Sequence, residues 1–407
     1  MPPPTPILLP PILDLAFVLR GLAAHIWPGD GERYVVSAGA PPEHVEPVAL
    51  VALAAWAMRE QRRGATIGID DSVKSRYTLS IGLLAALAGR LPWSDEVQAD
   101  DDFYPLSRIA GERRVDAIPA TVARTLHMTD AQAEGGLASS IHEIVRNAEE
   151  HAASETPAAF CAGWFRTQRR ASFAVADNGI GILRHLRAKG VATLEDDDRL
   201  AIEKAIQPRV TGAGRRGEVH APNNAGLGLH NTRRTALDTG GEMTILSGWG
   251  CHHESYSSGE RWLDVEAPWQ GTIVAVTLRT ERKTGSRLSP LTLGTLGTGI
   301  VRWQDKPEGA VLFSPPVDAA RFAMNKGWYK QQQPALAAAI ASGTPVHVDF
   351  GGASYSTQSA LHAFVAEVVR IHGQKALSLM TFSSGGPPLR DALRLVVTYA
   401  LDAHVQD

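Results

Sequence analysis

The segment Ser139–His151 has two chemically different faces, and no other feature constrains the chain as strongly. Glu143 and Asn147 lie four positions apart, so in a helix both side chains project from one face, a turn apart. An amide oxygen suits a hard cation, and a neighbouring carboxylate can orient or deprotonate water. The same spacing is also typical of an ordinary exposed helix face. The apolar positions of the opposite side predict packing on a core: Ile141, Ile144, Val145 and Ala148.

A second element joins a strand to a glycine-rich turn. Alternating Phe173 and Val175 predict a strand that runs directly into Asp177. Gly179 and Gly181 follow, and glycines let the backbone approach a flat ligand closely. A buried carboxylate here would accept a hydrogen bond from an exocyclic amine such as that of adenine, and it would discriminate well. An ordinary hairpin turn with Asn-Gly explains the same residues equally well.

Two weaker elements follow. The small, polar stretch Asn223–Thr232 runs into a helix that we predict from Leu227. Free backbone N–H groups and the positive end of the helix dipole would then meet at one point, which favours phosphate. Gly271 and Thr272 open a predicted strand that continues to Leu278. Each of these two patterns is common by itself.

In this order and at these separations, the four elements resemble the N box and the three glycine boxes of the GHKL ATPases, the superfamily of gyrase, heat-shock chaperones, histidine kinases and MutL. The resemblance runs from about Leu137 to Leu278. It implies a Bergerat-type α/β sandwich with a mixed sheet that binds ATP and Mg²⁺. It further implies that Glu143 is the catalytic base, Asn147 the magnesium ligand and Asp177 the adenine-recognising carboxylate.

The resemblance also assigns the rest of the nucleotide site. Gly179 and Gly181 would surround Asp177, Thr272 would support the adenine pocket, and residues 183–223 would form the ATP lid. The residues of the second glycine box would cradle the phosphates: Asn224, Gly226, Leu227 and Gly228. Asn224 replaces the usual leading glycine of that box, and we expect this change to slow lid closure. The sequence has no P-loop, so Mg²⁺ would be held by Asn147 and nucleotide oxygens.

The sequence on either side predicts two smaller α/β units, so the expected fold class is α/β with a central domain at 131–283. Residues 1–130 carry a predicted helix at Val45–Arg59, a strand at Thr66–Ile69 and a helix at Thr78–Leu91. A linker rich in Gly, Thr and Ser follows the central domain at 284–299. The last segment, 300–407, predicts strands at Val346–Phe350 and Ala376–Phe382. It also predicts helices at Thr357–His372 and Leu389–Leu401.

The C-terminal unit resembles the STAS-like domains that are related to anti-sigma-factor antagonists, and 1–130 is interpreted as a more degenerate copy. In those relatives a serine at a helix N-terminus can be phosphorylated, where the helix dipole stabilises the added charge. Hydroxyl residues at the corresponding place either do this or simply cap the helix: Ser354, Ser356, Thr357 and Ser359. The resemblance implies a protein partner for this unit.

The composition of the chain narrows the classes of partner, metal site and compartment that remain. The net charge of -3 gives no electrostatic argument for a nucleic-acid or anionic-membrane partner. Cys161 and Cys251 are far apart and have no paired spacing, so the sequence supports neither a disulfide framework nor a cysteine-based zinc site, and a reducing cytoplasm fits best. We predict that Cys251, His252 and His253 lie in a solvated hairpin loop and bind no metal. The apolar stretch Ile7–Trp27 is interrupted by Pro and charged residues, which predicts a surface lead-in and a short amphipathic helix instead of a targeting segment.

Four functions stay open at this point. In the first, ATP and Mg²⁺ close the lid and Glu143-assisted hydrolysis resets an ATPase switch. In the second, the chain is a serine/threonine kinase, similar to the anti-sigma kinases, that acts on a STAS-like partner or on its own C-terminal unit. A histidine kinase is disfavoured because no helix pair carrying a His precedes the ATP-binding segment. The fourth is a module that binds ATP without turnover. The oligomeric state is left open.

Overall fold

The computed structural model describes residues 3–22, 33–97, 102–109, 118–119, 122, 125–126, 131–150, 152–207, 228–279, 301–318, 321–323, 325–356 and 358–404. These residues form two compact units. The first contains the described residues of Met1–Thr129, Ser140–Gly217 and Gly226–Arg282. The second contains those of Asp130–Ser139 and Lys283–Asp407. Helices and strands occur in both, so the chain is α/β.

The N-terminal part of the first unit is built around a parallel sheet in the order β1-β3-β5. Its elements are β1 (Thr5–Leu9), β2 (Ile12–Leu13), β3 (Arg33–Ala38), β4 (His44–Val45), α1 (Pro47–Arg62), β5 (Thr66–Ile69), α2 (Arg76–Ser80) and α3 (Leu83–Leu87). The predicted strand and first helix are confirmed. The predicted helix Thr78–Leu91 is instead two short helices, because Gly82 between them has a φ of +83°.

The prediction of a surface lead-in near the N-terminus was wrong. Ile7 and Leu9 are buried because β1 pairs in parallel with β3 and becomes part of the sheet. The expected amphipathic helix is reduced to a short π-helical turn at Phe17–Gly21. Residues 23–27 of the same stretch lie outside the described residues.

Helix α1 is apolar on every side, and each of its residues from Pro47 to Glu60 is buried. A helix with this pattern requires neighbours all round. It contacts β5 and α3 of the N-terminal part and also the central sheet described next. Alanines on the facing strands leave room for its close approach: Ala159, Ala174 and Ala176.

The central sheet has seven strands in the order β11-β10-β9-β12-β8-β7-β6. They are β6 (Phe103–Ile109), β7 (Ala158–Phe165), β8 (Arg170–Ala176), β9 (Glu242–Gly248), β10 (Gly250–Ser255), β11 (Gly259–Trp262) and β12 (Trp269–Arg279). All of their pairings are antiparallel, which corrects the expected mixed sheet. Strand β6 comes from the segment that we assigned to the N-terminal unit.

The next helices along the chain are α4 (Ala131–Glu150), which belongs to the first unit from Ser140 onwards, α5 (Gly181–Ala188), α6 (Asp198–Ile206) and α7 (Gly228–Asp238). Helices α5 and α7 pack on β9 and β12, while α6 packs on β9 and β10. The predicted apolar side of α4 is largely confirmed, since Ile141, Ile144 and Val145 are buried. Ala148 is only half-buried.

The prediction of a solvated loop at Cys251–His253 was wrong. These residues lie in β10 and are buried, because a tight turn at Gly248 (φ +57°) pairs Ser247 with Gly250 and folds β10 back on β9. His253 Nδ1 lies 2.9 Å from the hydroxyl of Thr244. Among the described residues, no group of three His, Cys, Asp or Glu side chains could hold a metal ion.

The second unit contains another parallel sheet, in the order β13-β14-β15. Its elements are β13 (Val311–Phe313), α8 (Lys326–Ala341), β14 (Val346–Asp349), α9 (Gln358–Leu361), α10 (Glu367–Leu379), β15 (Met380–Ser383) and α11 (Pro387–His404). The predicted strand Ala376–Phe382 begins only at Met380. The helix kinks at Gly373 (φ 52°) and continues to Leu379, which delays the strand.

The predicted hydroxyl residues of this unit have different environments. Ser356 is fully buried and donates a hydrogen bond to the carbonyl oxygen of Ala323, so it is not a surface phosphate acceptor. Ser354 is half-buried and its hydroxyl donates to the carbonyl oxygen of Arg321 at 3.2 Å. Thr357 and the side chain of Ser359 lie outside the described residues. Across the described parts of the chain, no helix is both long and apolar enough to span a bilayer.

Candidate functional site

Asp177 lies where β8 ends and is held by β12, the neighbouring strand. Its Oδ1 accepts hydrogen bonds from the backbone N–H groups of Gly179, at 2.8 Å, and Thr272, at 3.3 Å. Its own N–H donates to the carbonyl oxygen of Thr272 at 2.9 Å. The antiparallel pairing of β8 with β12 therefore brings together two predicted site residues that are distant in sequence.

The Asp177 carboxylate is only 4% exposed. Burial raises the pKa of this group to about 7, and the two backbone hydrogen bonds oppose the shift. Both bonds end on Oδ1, and no hydrogen-bond donor to Oδ2 is found among the described residues. A ligand donor that reached Oδ2 would favour the ionised form.

Two glycines make the close packing of this loop possible. A Cβ placed on Gly179 would lie 1.9 Å from the carbonyl oxygen of Ala152. Gly271 has a φ of +100°, and a Cβ there would lie 2.2 Å from the carbonyl oxygen of Asp177. Neither position accepts a larger residue without displacing backbone.

Glu143 and Asn147 lie half-buried on α4, one turn apart, beside the first residue of α7. A Cβ placed on Gly228 would lie 3.0 Å from Glu143 Oε2 and 3.6 Å from Asn147 Nδ2. Three residues predicted for the base, the metal and the phosphates therefore lie together. The N-terminus of the eleven-residue α7 meets a carboxylate and an amide there.

Ala152, just beyond the C-terminal end of α4, connects this cluster with the Asp177 loop. Its carbonyl oxygen accepts a hydrogen bond from the N–H of Ile180 at 2.8 Å. Gly181 begins α5 and lies beside Ser247, whose hydroxyl accepts from the N–H of Ile182 and donates to the carbonyl oxygen of Gly271. The loop is thus fixed on several sides.

Asn224, Gly226 and Leu227 lie outside the described residues, as do residues 208–223 of the predicted lid. Helices α5 and α6 occupy most of the described part of that lid.

Comparisons with protein-family models, with curated proteins and with solved structures find no match to this chain.

Three supporting residues were missed by sequence reasoning: Asn178, Ser247 and Trp269. Asn178 is buried and its Nδ2 donates to the carbonyl oxygen of Ala55 at 2.7 Å. The Trp269 indole donates to the carbonyl oxygen of Asp177 at 3.2 Å. The position of Asn178 between Asp177 and Gly179 could have signalled its role. Ser247 and Trp269 gave no signal, because their contacts depend on strand pairing.

Proposed function

We propose that the first unit binds ATP with Mg²⁺ as a GHKL-type, Bergerat-fold domain, and that the chain is an ATPase switch acting through its flanking α/β parts. The observation that carries the proposal is Asp177, a buried carboxylate with one oxygen satisfied by two backbone donors and the other directed to no described donor. An exocyclic amine would supply the missing donor. Adenine has that amine, whereas guanine presents a carbonyl at the same ring position.

The preference for adenine over guanine follows from the free-energy cost of burying the charge of Asp177. With an amine on Oδ2, the ionised Asp177 would gain a third donor in a site that water hardly reaches. A carbonyl there would place two acceptors face to face. Sites that hydrogen-bond a substrate donor reject analogues without it strongly. We therefore expect ATP to bind more tightly than GTP.

The second cluster fits the phosphate end of the nucleotide. Asn147 offers a carboxamide oxygen to a hard cation, and Gly228 places a helix N-terminus beside it. Bound Mg²⁺ would neutralise phosphate charge. Glu143 would orient the attacking water and accept its proton on a carboxylate oxygen. The half-buried position of Glu143 keeps that carboxylate accessible.

A protein partner for the second unit is part of the proposal. Strand β13 is an edge of the parallel sheet as far as the described strands show, and Val311 and Leu312 on it are 41% and 51% exposed. An exposed apolar edge strand is a ready surface for pairing with another chain. The STAS-like assignment of this unit rests on the sequence resemblance.

Incubation of the pure protein with γ-labelled ATP and Mg²⁺ separates the candidate functions. Free labelled phosphate supports the ATPase switch. Label retained on this chain, or on an added partner, supports a protein kinase instead. Tight binding of unchanged ATP supports a module without turnover. Absence of any nucleotide binding would overturn the proposal as a whole.

Calorimetric titration with ATP and GTP tests the adenine pocket directly. Asp177→Ala should abolish the preference for ATP. Asp264→Ala, which removes an exposed aspartate from the same unit, is the matched control and should keep it. If the Asp177→Ala protein prefers ATP as strongly as the wild type does, Asp177 does not recognise the base.

A further inference from the structure

Asn178 connects the Asp177 loop to helix α1. Its Nδ2 donates two hydrogen bonds, one to the carbonyl oxygen of Ala55 at 2.7 Å and one to Thr156 Oγ1 at 2.9 Å. Because Nδ2 is the donor in both hydrogen bonds, the orientation of the Asn178 carboxamide is fixed. Asn178 is 7% exposed, and its Oδ1 has no hydrogen-bond partner among the described residues. A buried acceptor left unsatisfied in this way is costly, so the two bonds of Nδ2 are what hold the side chain in place.

Helix α1 reaches the same loop by a second route. The guanidinium of Arg59 lies over the Trp269 ring, 5.9 Å from its centroid. The indole of Trp269 in turn donates to the carbonyl oxygen of Asp177. Arg59 and Trp269 are both buried, so these contacts are shielded from solvent.

These two routes meet at consecutive residues of the loop, one on the carbonyl of Asp177 and one on the side chain of Asn178. Helix α1 belongs to the N-terminal part, which the four ATPase motifs do not include. We propose that Asn178 is a positioning residue which makes α1 a structural part of the adenine pocket, an inference that rests on the proposed function. It acts through the backbone next to Asp177, since its own side chain is buried against Ala55 and Thr156.

Two consequences distinguish positioning from a general effect on folding. Loss of the Asn178 side chain displaces the Asp177 carboxylate and therefore weakens the binding of ATP more than the binding of GTP. By linkage, ATP binding must also stabilise the contact between the loop and α1 in the wild type. Of the two hydrogen bonds that Asn178 donates, only the one to Ala55 joins the loop to α1, and the net contribution of one hydrogen bond corresponds to about a two- to tenfold change in affinity.

The experiment measures ATP and GTP affinities for the full chain with Asn178→Ala, at a temperature where each protein is folded. We expect ATP affinity to fall about two- to tenfold and GTP affinity to change less. Gln270→Ala is the matched control, because it removes the exposed hydrogen bond between Arg63 of α1 and the Gln270 side chain without removing a hydrogen bond to Asp177 or Asn178. Thr156→Val, which removes only one acceptor of Asn178, is the milder variant and should shift the ratio in the same direction if Asn178→Ala does not fold.

Hydrogen exchange supplies a readout that a merely structural role would not change. ATP should slow exchange in residues 47–62 of the wild type, and this protection should be lost in Asn178→Ala. An unaltered ratio of ATP to GTP affinity, together with intact protection of α1, would overturn the inference while leaving the proposed function standing. If the wild type binds no nucleotide, both the inference about Asn178 and the proposed function are overturned.

Discussion

Asp177 should make a contribution to the stability of the ligand-free protein that is lost as the pH rises. The pKa of this carboxyl is about 7 in the folded state, against an ordinary value of 3.8. Between these values the unfolded chain has released its proton while the folded protein retains it, so raising the pH favours unfolding. The loss is spread over the window between the two pKa values and levels off above about pH 7. Between pH 5 and pH 8 it amounts to roughly 2 to 3 kcal/mol.

Asp177→Asn isolates this contribution, because an amide keeps the shape of the carboxyl but does not titrate. The free energy of unfolding in urea should be measured for both proteins at pH 5, 6, 7 and 8. The wild type should become less stable relative to the variant by roughly 2 to 3 kcal/mol across this range. All other titrating groups cancel in the difference. Asp264→Asn, on an exposed side chain, is the control for the substitution of an aspartate by an amide. A constant difference between wild type and Asp177→Asn would refute the argument that burial raises the pKa of Asp177.

Three further predictions concern the two residue clusters of the site. Glu143→Gln should retain ATP affinity while phosphate release falls by at least about 10²-fold, the lower end of a general-base contribution, and retained hydrolysis would remove Glu143 as the base. Asn147→Ala should abolish the dependence of nucleotide binding on Mg²⁺, which a magnesium titration at fixed ATP measures; an unchanged response would place the cation elsewhere. Gly271→Ala should disrupt the Asp177 loop, because its Cβ would lie 2.2 Å from a backbone oxygen at a φ of +100°. Gly259→Ala, at a φ of +72° with open space around it, is the control for backbone strain alone, and equal thermal midpoints for the two variants would contradict the steric argument.

The sequence predicted the local parts of the candidate site well. Apolar spacing located α4, and alternation located the strand that delivers Asp177. Both signals depend on neighbours in sequence, so a single chain carries them. The position of Gly228 beside Glu143 depends on how α7 packs, which no local pattern encodes.

Two of the errors, at β1 and at β10, have a common physical cause, since each involves a strand partner that the local pattern did not indicate. β1 was taken for a surface segment because its pairing strand begins only at Arg33. The buried His252 and His253 were taken for loop residues because their polarity and flanking glycines suggest solvent, whereas β9 and β11 cover them on both edges. α8 was not predicted at all, and it contains Pro334, a residue that normally ends a helix.

The enclosure of α1 has a consequence for synthesis of the chain. The side of this helix that the N-terminal sheet and α3 leave open stays exposed until β7, β8 and β12 cover it, and the last of these strands ends at Arg279. A nascent chain that has just completed the N-terminal sheet therefore still exposes an apolar surface on α1. Translation must proceed through most of the first unit before that surface is buried. Truncation before Arg279 should yield aggregated material, even though every residue of the N-terminal sheet would be present.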